Sequence, residues 1–134
     1  MIRGSCYCGA VRYEVHGKLL MFPICHCPDC RKITGAACSP VLVTEAAGFT
    51  VASGGDHLVP FESSPGKFRH FCRTCGSPLF SRVSHRPDMV FIRAGSLDDD
   101  PPLRPQVHYW TAMKAPWHEI TDALPQHAEG VQKR

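Results

Sequence analysis

Cysteines in short clusters are the residues of this sequence best suited to chemistry. Three clusters are present, and Cys38 stands apart from them: Cys6-Tyr7-Cys8, Cys25-His26-Cys27-Pro28-Asp29-Cys30 and Cys72-Arg73-Thr74-Cys75. Spacings of one or two residues let a turn present both sulfurs to one ion, and zinc binds thiolates tetrahedrally at about 2.3 Å. Eight cysteines among 134 residues therefore predict metal binding.

Two of the clusters are pairs, and two pairs complete one tetrahedron. Gly76 follows the second pair and can take the positive φ that a tight turn around a metal requires. We therefore predict a closed structural zinc site that joins the N-terminal segment to the middle of the chain. Its ligands are Cys6, Cys8, Cys72 and Cys75. Closing so long a loop would stabilise a fold that has few local contacts.

The remaining cluster offers three thiolates, those of Cys25, Cys27 and Cys30. Three protein ligands and an open fourth position are typical of a catalytic zinc site. The open position can take water or a substrate thiol, and zinc holds a bound thiol as its thiolate near neutral pH. The spacing also leaves open a second structural zinc, with Cys38 or His26 as its fourth ligand.

The composition weighs against other classes of protein. A net charge of +3 with scattered basic residues does not indicate nucleic-acid binding. No apolar run reaches the ~20 residues of a membrane span, and no export signal is seen. Disulfides could also use eight cysteines, but they belong to oxidising compartments. We expect a cytoplasmic zinc protein with a small-molecule thiol as its partner.

The elements that must position these clusters are short strands. Apolar segments bounded by Gly, Pro and Ser predict one mainly β domain over residues 1–134, made of several small antiparallel sheets. Pro28–Thr34 is predicted as a short helix capped by Gly35, and 127–134 as a polar, frayed tail. The predicted strands are Ala10–Val15, Cys38–Val43, Phe49–Ala52, Leu58–Phe61, Lys67–Phe71, Pro78–Val83, Met89–Ala94 and Val107–Thr111.

Other side chains carry less specific predictions. His26 is expected to point away from the metal, and Cys38 to be a buried thiol. His70 neighbours a ligand on its strand and is a candidate to support that ligand by hydrogen bonding. The remaining aromatic side chains are expected to be packed or to lie at the surface; they are His108, His118, Trp110 and Trp117.

Three ordered motifs resemble those of the glutathione-dependent formaldehyde-activating enzyme family. They are Gly4–Tyr13 (GSCYCGAVRY), Cys25–Ala36 (CHCPDCRKITGA) and Phe71–Phe80 (FCRTCGSPLF). Gly95–Asp99 and Pro116–Trp117 match weaker elements, so the resemblance extends from Gly4 to about residue 126.

The resemblance implies a β-tent fold with two zinc ions. It implies a structural zinc on Cys6, Cys8, Cys72 and Cys75, and a catalytic zinc on Cys25, Cys27 and Cys30. The activity it implies joins glutathione and formaldehyde to give S-hydroxymethylglutathione, formally a carbon–sulfur lyase reaction in reverse. Two other functions stay open: a non-catalytic zinc module for protein binding, and a zinc-storing or redox-sensing protein.

Overall fold

Eleven short strands carry the fold of residues 1–130, the part of the chain that the computed structural model describes. In chain order they are β1 Ile2–Ser5, β2 Arg12–Val15, β3 Leu19–Met21, β4 Pro23–Cys25, β5 Ser39–Glu45, β6 Phe49–Ser53, β7 Leu58–Ser64, β8 Lys67–Cys72, β9 Pro78–Val83, β10 Arg86–Arg93 and β11 Val107–Tyr109. Within this range the α-helix is α1, Pro28–Thr34. Single 3-10 turns lie at Ala46–Gly48, Gly55–His57, Ala94–Ser96 and Thr111–Met113. No helix in residues 1–130 is long and apolar enough to cross a membrane.

The strands form a small sheet and a large one. The small sheet has the order β1-β2-β6, and the large one runs β11-β4-β5-β10-β9-β8-β7, with β3 also pairing with β5. The pairs are antiparallel except for β11 and β4, which run parallel. The expectation of a mainly β fold with little helix is confirmed.

The main hydrophobic core lies between the two sheets. Tyr13 of β2 packs on Phe49 of β6 with ring centroids 5.3 Å apart, and Phe49 meets Phe80 of β9 at 4.8 Å. Ile92 of β10 is fully buried in the same cluster. Cys6 and Cys72 also belong to this cluster, so two predicted metal ligands are part of the core.

The other face of the large sheet carries a different set of side chains. Directly paired residues point to the same face of a sheet, and alternate residues of one strand share a face. Arg69 of β8 pairs with Ser81 of β9, and Ser81 with Phe91 of β10, two residues before Arg93. Arg93 pairs with Val41 of β5, while Ser39 of β5 pairs with Cys25 of β4. The register therefore brings arginines and a predicted metal ligand to one face, away from the core.

All eight predicted strands are present, Pro78–Val83 with the predicted bounds and the other seven with shifted ends, and three strands were missed. β1 has four residues including Gly4, which weakens the strand pattern, and β3 and β4 have only three residues each. Such short segments form because distant partners pair with them, which a local pattern does not reveal. Helix α1 is confirmed at Pro28–Thr34, with Gly35 at φ 66° as its C-cap.

Part of the segment predicted as a frayed tail is hydrogen-bonded to the rest of the fold. The Trp110 amide donates to the Glu129 carbonyl at 3.1 Å, and the His127 amide donates to the His108 carbonyl at 2.9 Å. The prediction of a frayed segment is therefore wrong for residues 127–130, which hydrogen-bond to β11 and the turn after it. Residues 131–134 lie outside the described residues.

Candidate metal centres

Four cysteine sulfurs meet where the N-terminal segment approaches the end of β8. The ligand atoms of Cys6, Cys8, Cys72 and Cys75 all lie within 4.8 Å of one another. Cys8 Sγ is 3.6 Å from Cys6 Sγ and 3.8 Å from Cys72 Sγ. Sulfurs arranged tetrahedrally about 2.3 Å from zinc are roughly 3.8 Å from each other. The spacing therefore fits a single tetrahedral ion, and all eight cysteines of the chain are free thiols.

Turns of the backbone present these sulfurs. The Gly76 amide donates to the Cys72 carbonyl at 2.8 Å, and Gly76 has φ 79°, as the sequence predicted. The Ser77 hydroxyl lies 3.2 Å from Cys75 Sγ and also accepts from the Tyr7 amide at 2.9 Å. This hydroxyl, followed by the Ser77 amide, lowers the pKa of Cys75 to about 5. Ser77 thus links the two turns and favours the ionised ligand.

Three further sulfurs meet where β4 passes into α1. The ligand atoms of Cys25, Cys27 and Cys30 lie within 4.8 Å of one another, with Cys25 Sγ and Cys27 Sγ 3.4 Å apart. Cys27 is the N-cap of α1, and its sulfur accepts from the Cys30 amide at 3.4 Å. Pro28 takes the first position of α1, where its missing N–H costs nothing. The start of the helix therefore holds all three thiols in one place.

Hydrogen bonds and nearby charges shift the pKa values of the thiols in this triplet in different directions. Hydrogen bonds from Cys25 and Cys27 lower the pKa of Cys30 to about 2, and the charges of Arg93 and Arg69 act in the same direction against burial. Hydrogen bonds within the triplet, first that with Cys27 and then that with Cys30, raise the pKa of Cys25 above its usual range. A divalent cation would replace these shared protons, because thiolates are its ligands.

Neither of the proposed fourth ligands joins the triplet. No other cysteine, histidine or carboxylate in residues 1–130 completes the group. His26 is fully buried, and its Nε2 lies 2.8 Å from Nδ1 of His108, so it turns away from the sulfurs as expected. Cys38 is half-buried and lines another cavity, next to Ser5 and Ser96; burial raises its pKa.

A cavity of about 370 Å³ opens beside the triplet, on the face of the large sheet away from the core. Cys25 and Cys30 line one end of it. Phe91, Tyr109 and Trp110 form an aromatic wall. Trp110 has φ 59°, a strained conformation for a residue with a side chain. Such strain is most often kept at functional sites, where the neighbouring structure enforces it.

Two arginines and a lysine lie close to the triplet. The guanidinium of Arg93 donates to the hydroxyls of Ser39, at 3.2 Å, and Ser81. Arg69 donates through Nε to the Ser63 hydroxyl at 2.9 Å. Burial lowers the pKa of Lys67 and so does the charge of Arg69, while the thiols of Cys30 and Cys27 oppose both.

A chain of polar side chains supports the triplet from behind. Because β11 runs parallel to β4, Tyr109 lies opposite Cys25, and its carbonyl accepts from the His26 amide at 3.0 Å. His108 Nε2 in turn lies 3.0 Å from the Asp122 carboxylate. The segment around β11 therefore fixes the loop that carries the three sulfurs.

The sequence interpretation missed several of these side chains. Lys67, Arg69 and Arg93 come from strands distant in the chain, and no local motif marks them. His108 was expected at a packing or surface position, but its ring links His26 to Asp122. His70 was a candidate to support a ligand, but its ring stacks on Phe80 with centroids 4.6 Å apart. Trp117, expected at a packing or surface position, lies at the surface and is 72% exposed.

Comparisons with known proteins agree with this arrangement. The profile of the family described as glutathione-dependent formaldehyde-activating enzyme matches residues 1–113. A Halomonas elongata protein that bears this enzyme name provisionally is 34% identical over 128 residues, which cover 90% of this chain and 81% of that protein. An Aspergillus flavus protein of the same provisional name is 30% identical over 84 residues, or 60% of this chain and 44% of that one. A crystal structure of a Rhodobacter sphaeroides protein has a TM-score of 0.62 and 26% identity, covering 75% of this chain and 91% of that chain.

Proposed function

Since this chain belongs to the glutathione-dependent formaldehyde-activating enzyme family, we propose that it is a zinc-dependent carbon–sulfur lyase. Its substrates would be glutathione or a related thiol and the adduct of that thiol with an aldehyde. The family reaction, formation of S-hydroxymethylglutathione from glutathione and formaldehyde, is the specific activity proposed. A reducing compartment such as the cytoplasm would keep its eight thiols free.

One observation carries the proposal: three sulfurs lie together without a fourth protein ligand among residues 1–130, and two of their cysteines, Cys25 and Cys30, line the end of a cavity. A structural zinc site fills its four positions with protein ligands, whereas a catalytic one leaves a position for substrate. The four-cysteine group offers the contrasting case in the same molecule, because its four sulfurs lie within 4.8 Å of one another and would fill all four positions around one ion. We therefore assign the four-cysteine group to structure and the triplet to chemistry.

The donor set favours zinc at both places. Soft thiolate ligands in a tetrahedral arrangement select zinc over magnesium, calcium or manganese. At the triplet, Cys25, Cys27 and Cys30 would hold the ion, and zinc there would keep a substrate thiol ionised near neutral pH.

The reaction needs a carbon–sulfur bond and the transfer of one proton, with no oxidation or reduction. The thiol sulfur attacks the carbonyl carbon of formaldehyde, the thiol proton is lost and the carbonyl oxygen gains a proton. The cavity beside Cys25 and Cys30 would hold the thiol with its sulfur towards the triplet. The aromatic wall of Tyr109 and Trp110 would exclude water from the new bond and set the direction of approach.

Exchange spectroscopy by NMR tests the activity directly. Protein loaded with two zinc ions per chain should speed the exchange between glutathione and S-hydroxymethylglutathione well above the rate in buffer. Cys27→Ser should remove this acceleration, because it takes one of three ligands from the triplet. The Ser hydroxyl can still cap α1, so the variant keeps its helix.

Cys38→Ser is the matched control, since Cys38 is half-buried and lies outside both sulfur groups. It should exchange as fast as the unmodified protein. Absence of acceleration by fully zinc-loaded protein would rule out the proposed reaction. Equal acceleration by Cys27→Ser would show that the triplet is not the reacting site.

A further inference from the structure

Three cations beside the triplet lack an acidic partner. Arg69 and Arg93 are only 5% and 6% exposed, and Lys67 is half-buried. Within residues 1–130, none of the three forms a salt bridge to a carboxylate. Nη1 of Arg69 is buried without any hydrogen-bond partner in the same part of the chain. Buried charge without a counter-charge is costly, so a protein that keeps it normally has an anion for it to meet.

The cysteine triplet supplies only part of the missing negative charge. Three thiolates and one divalent ion together carry a charge of −1. With each side chain counted as protonated, Lys67, Arg69 and Arg93 carry +3 between them, so the loaded site has a formal surplus of +2. One substrate thiolate removes one unit of this surplus. A second negative group on the same ligand would remove the other.

The adjoining cavity adds no negative charge of its own. Lys67 and Arg93 line it together with Cys25 and Cys30, and no Asp or Glu is among the residues that line it within positions 1–130. Arg86 also lines the cavity, but it is exposed and already paired with Asp88 at 3.1 Å. Apart from the cations and thiols, the walls are mainly apolar and aromatic.

We infer that Lys67, Arg69 and Arg93 form an anion subsite that selects thiols bearing a carboxylate. The inference rests on the proposed function and adds to it the residues that recognise a carboxylate of the thiol. The thiol sulfur would sit at the triplet and the carboxylate at the cations, with the carbon chain along the aromatic wall. Lys67 and Arg93 would contact the carboxylate, while Arg69, which does not line the cavity, adds its charge from the same face of the sheet.

A matched pair of thiols tests this without any turnover. 3-Mercaptopropionate and 3-mercaptopropionamide have the same length, and only the first is negatively charged at its far end. Calorimetric titration of zinc-loaded protein should show the acid binding about tenfold more tightly or more, the usual effect of a hydrogen bond to a charged group. High salt should narrow the difference, because the carboxylate and the cations are then screened.

Variants at Lys67 separate the subsite from the rest of the molecule. Lys67→Met should abolish most of the preference for the acid and leave binding of the amide unchanged, whereas Lys67→Arg should retain the preference. Lys32→Met is the control: Lys32 is exposed on α1 and does not line the cavity, so the preference should persist. Arg93 is a poorer choice for mutation, because its hydrogen bonds to Ser39 and Ser81 support the sheet.

The outcomes distinguish the subsite from the reaction. Equal affinity for acid and amide, or an undiminished preference in Lys67→Met, would overturn the subsite even if exchange with formaldehyde is accelerated. A preference that depends on Lys67 in a protein that does not accelerate exchange would uphold the subsite and reject the reaction. Failure of both thiols to bind would also overturn the subsite, while the exchange experiment with glutathione decides the reaction separately.

Discussion

His26 occupies a position between two metal ligands in the chain, yet its ring is fully buried on the other side of the loop. Asp122 accepts from His108 Nε2, which leaves His108 Nδ1 to accept from His26 Nε2. His26 Nδ1 then carries no proton, in agreement with its lack of a hydrogen-bond partner in residues 1–130. Neutral His26 thus orients the loop by a relay of hydrogen bonds that ends at a half-exposed carboxylate.

We predict that His26 stays neutral well into the acidic range. Burial first, and then repulsion from His108 and His118 when those rings are protonated, lower its pKa to about 4. The unfolded chain takes this proton at the ordinary histidine value of about 6.5, so the unfolded state binds more protons between these two values. The contribution of His26 to stability is therefore present above about pH 6.5 and is lost as the pH falls towards about 4.

NMR titration of the imidazole signals measures this directly. The His26 signals should stay constant from pH 8 to about 5.5, and unfolding by urea should show lower stability at pH 5 than at pH 7. His26→Gln should reduce this pH dependence, because it removes the titrating group. A midpoint for His26 near 6.5 would contradict the neutral hydrogen-bond relay.

At the scale of the elements, the sequence predicted the strands and the helix that local residue patterns determine. Strands such as Pro78–Val83 were found because β-branched and aromatic residues mark them, and α1 because Pro28 and Gly35 bound it. The pairing of the strands could not be predicted from the sequence. It is set by contacts between segments distant in the chain, and β4 exists because β5 and β11 flank its three residues.

Two glycines with similar backbone angles should respond differently to substitution. Gly35 has φ 66° and Gly54 has φ 76°. A Cβ on Gly35 would have no neighbour within 4 Å, whereas one on Gly54 would overlap the carbonyl oxygen of Ala10. Gly35→Ala should cost about 1 kcal/mol, the strain of the left-handed conformation alone.

Gly54→Ala should cost clearly more, because the backbone next to the Cys6–Gly9 turn must move. Urea unfolding of the zinc-loaded variants compares the two free energies. Metal content measured on the same samples shows whether the four-cysteine group is also disturbed. Equal losses of unfolding free energy in the two variants would mean that the backbone at Ala10 moves away from the new Cβ at little energetic cost.

At the scale of the whole molecule, the two cysteine groups were predictable and their surroundings were not. Each sulfur pair or triplet lies within six residues of sequence, so its spacing alone indicates a shared ion. The cations that face the triplet lie on β8 and β10, and only the register of the large sheet brings them to the side of Cys25. The charge of the site is thus a property of the assembled sheet.

The two metal groups should contribute very differently to stability. The four-cysteine group joins Cys8 to Cys72, 64 residues further on, and closes a loop that includes most of the strands. Restricting an unfolded chain by a loop of this length contributes on the order of 4 kcal/mol. The triplet joins residues that are already close in sequence, so its ion restricts the unfolded chain little.

Cys75→Ser and Cys27→Ser compare the two groups with one kind of substitution at two half-buried ligands. Each variant should lose one of its two zinc ions. Cys75→Ser should lower the Tm by roughly 10 °C or more, since a loss of about 4 kcal/mol corresponds to such a shift in a domain of this size. Cys27→Ser should change the Tm by only a few degrees, because serine still caps α1. Thermal unfolding with parallel zinc analysis measures the Tm and the zinc content of both variants. Equal falls in Tm would contradict the prediction, because they would show that the triplet stabilises the fold as much as the four-cysteine group does.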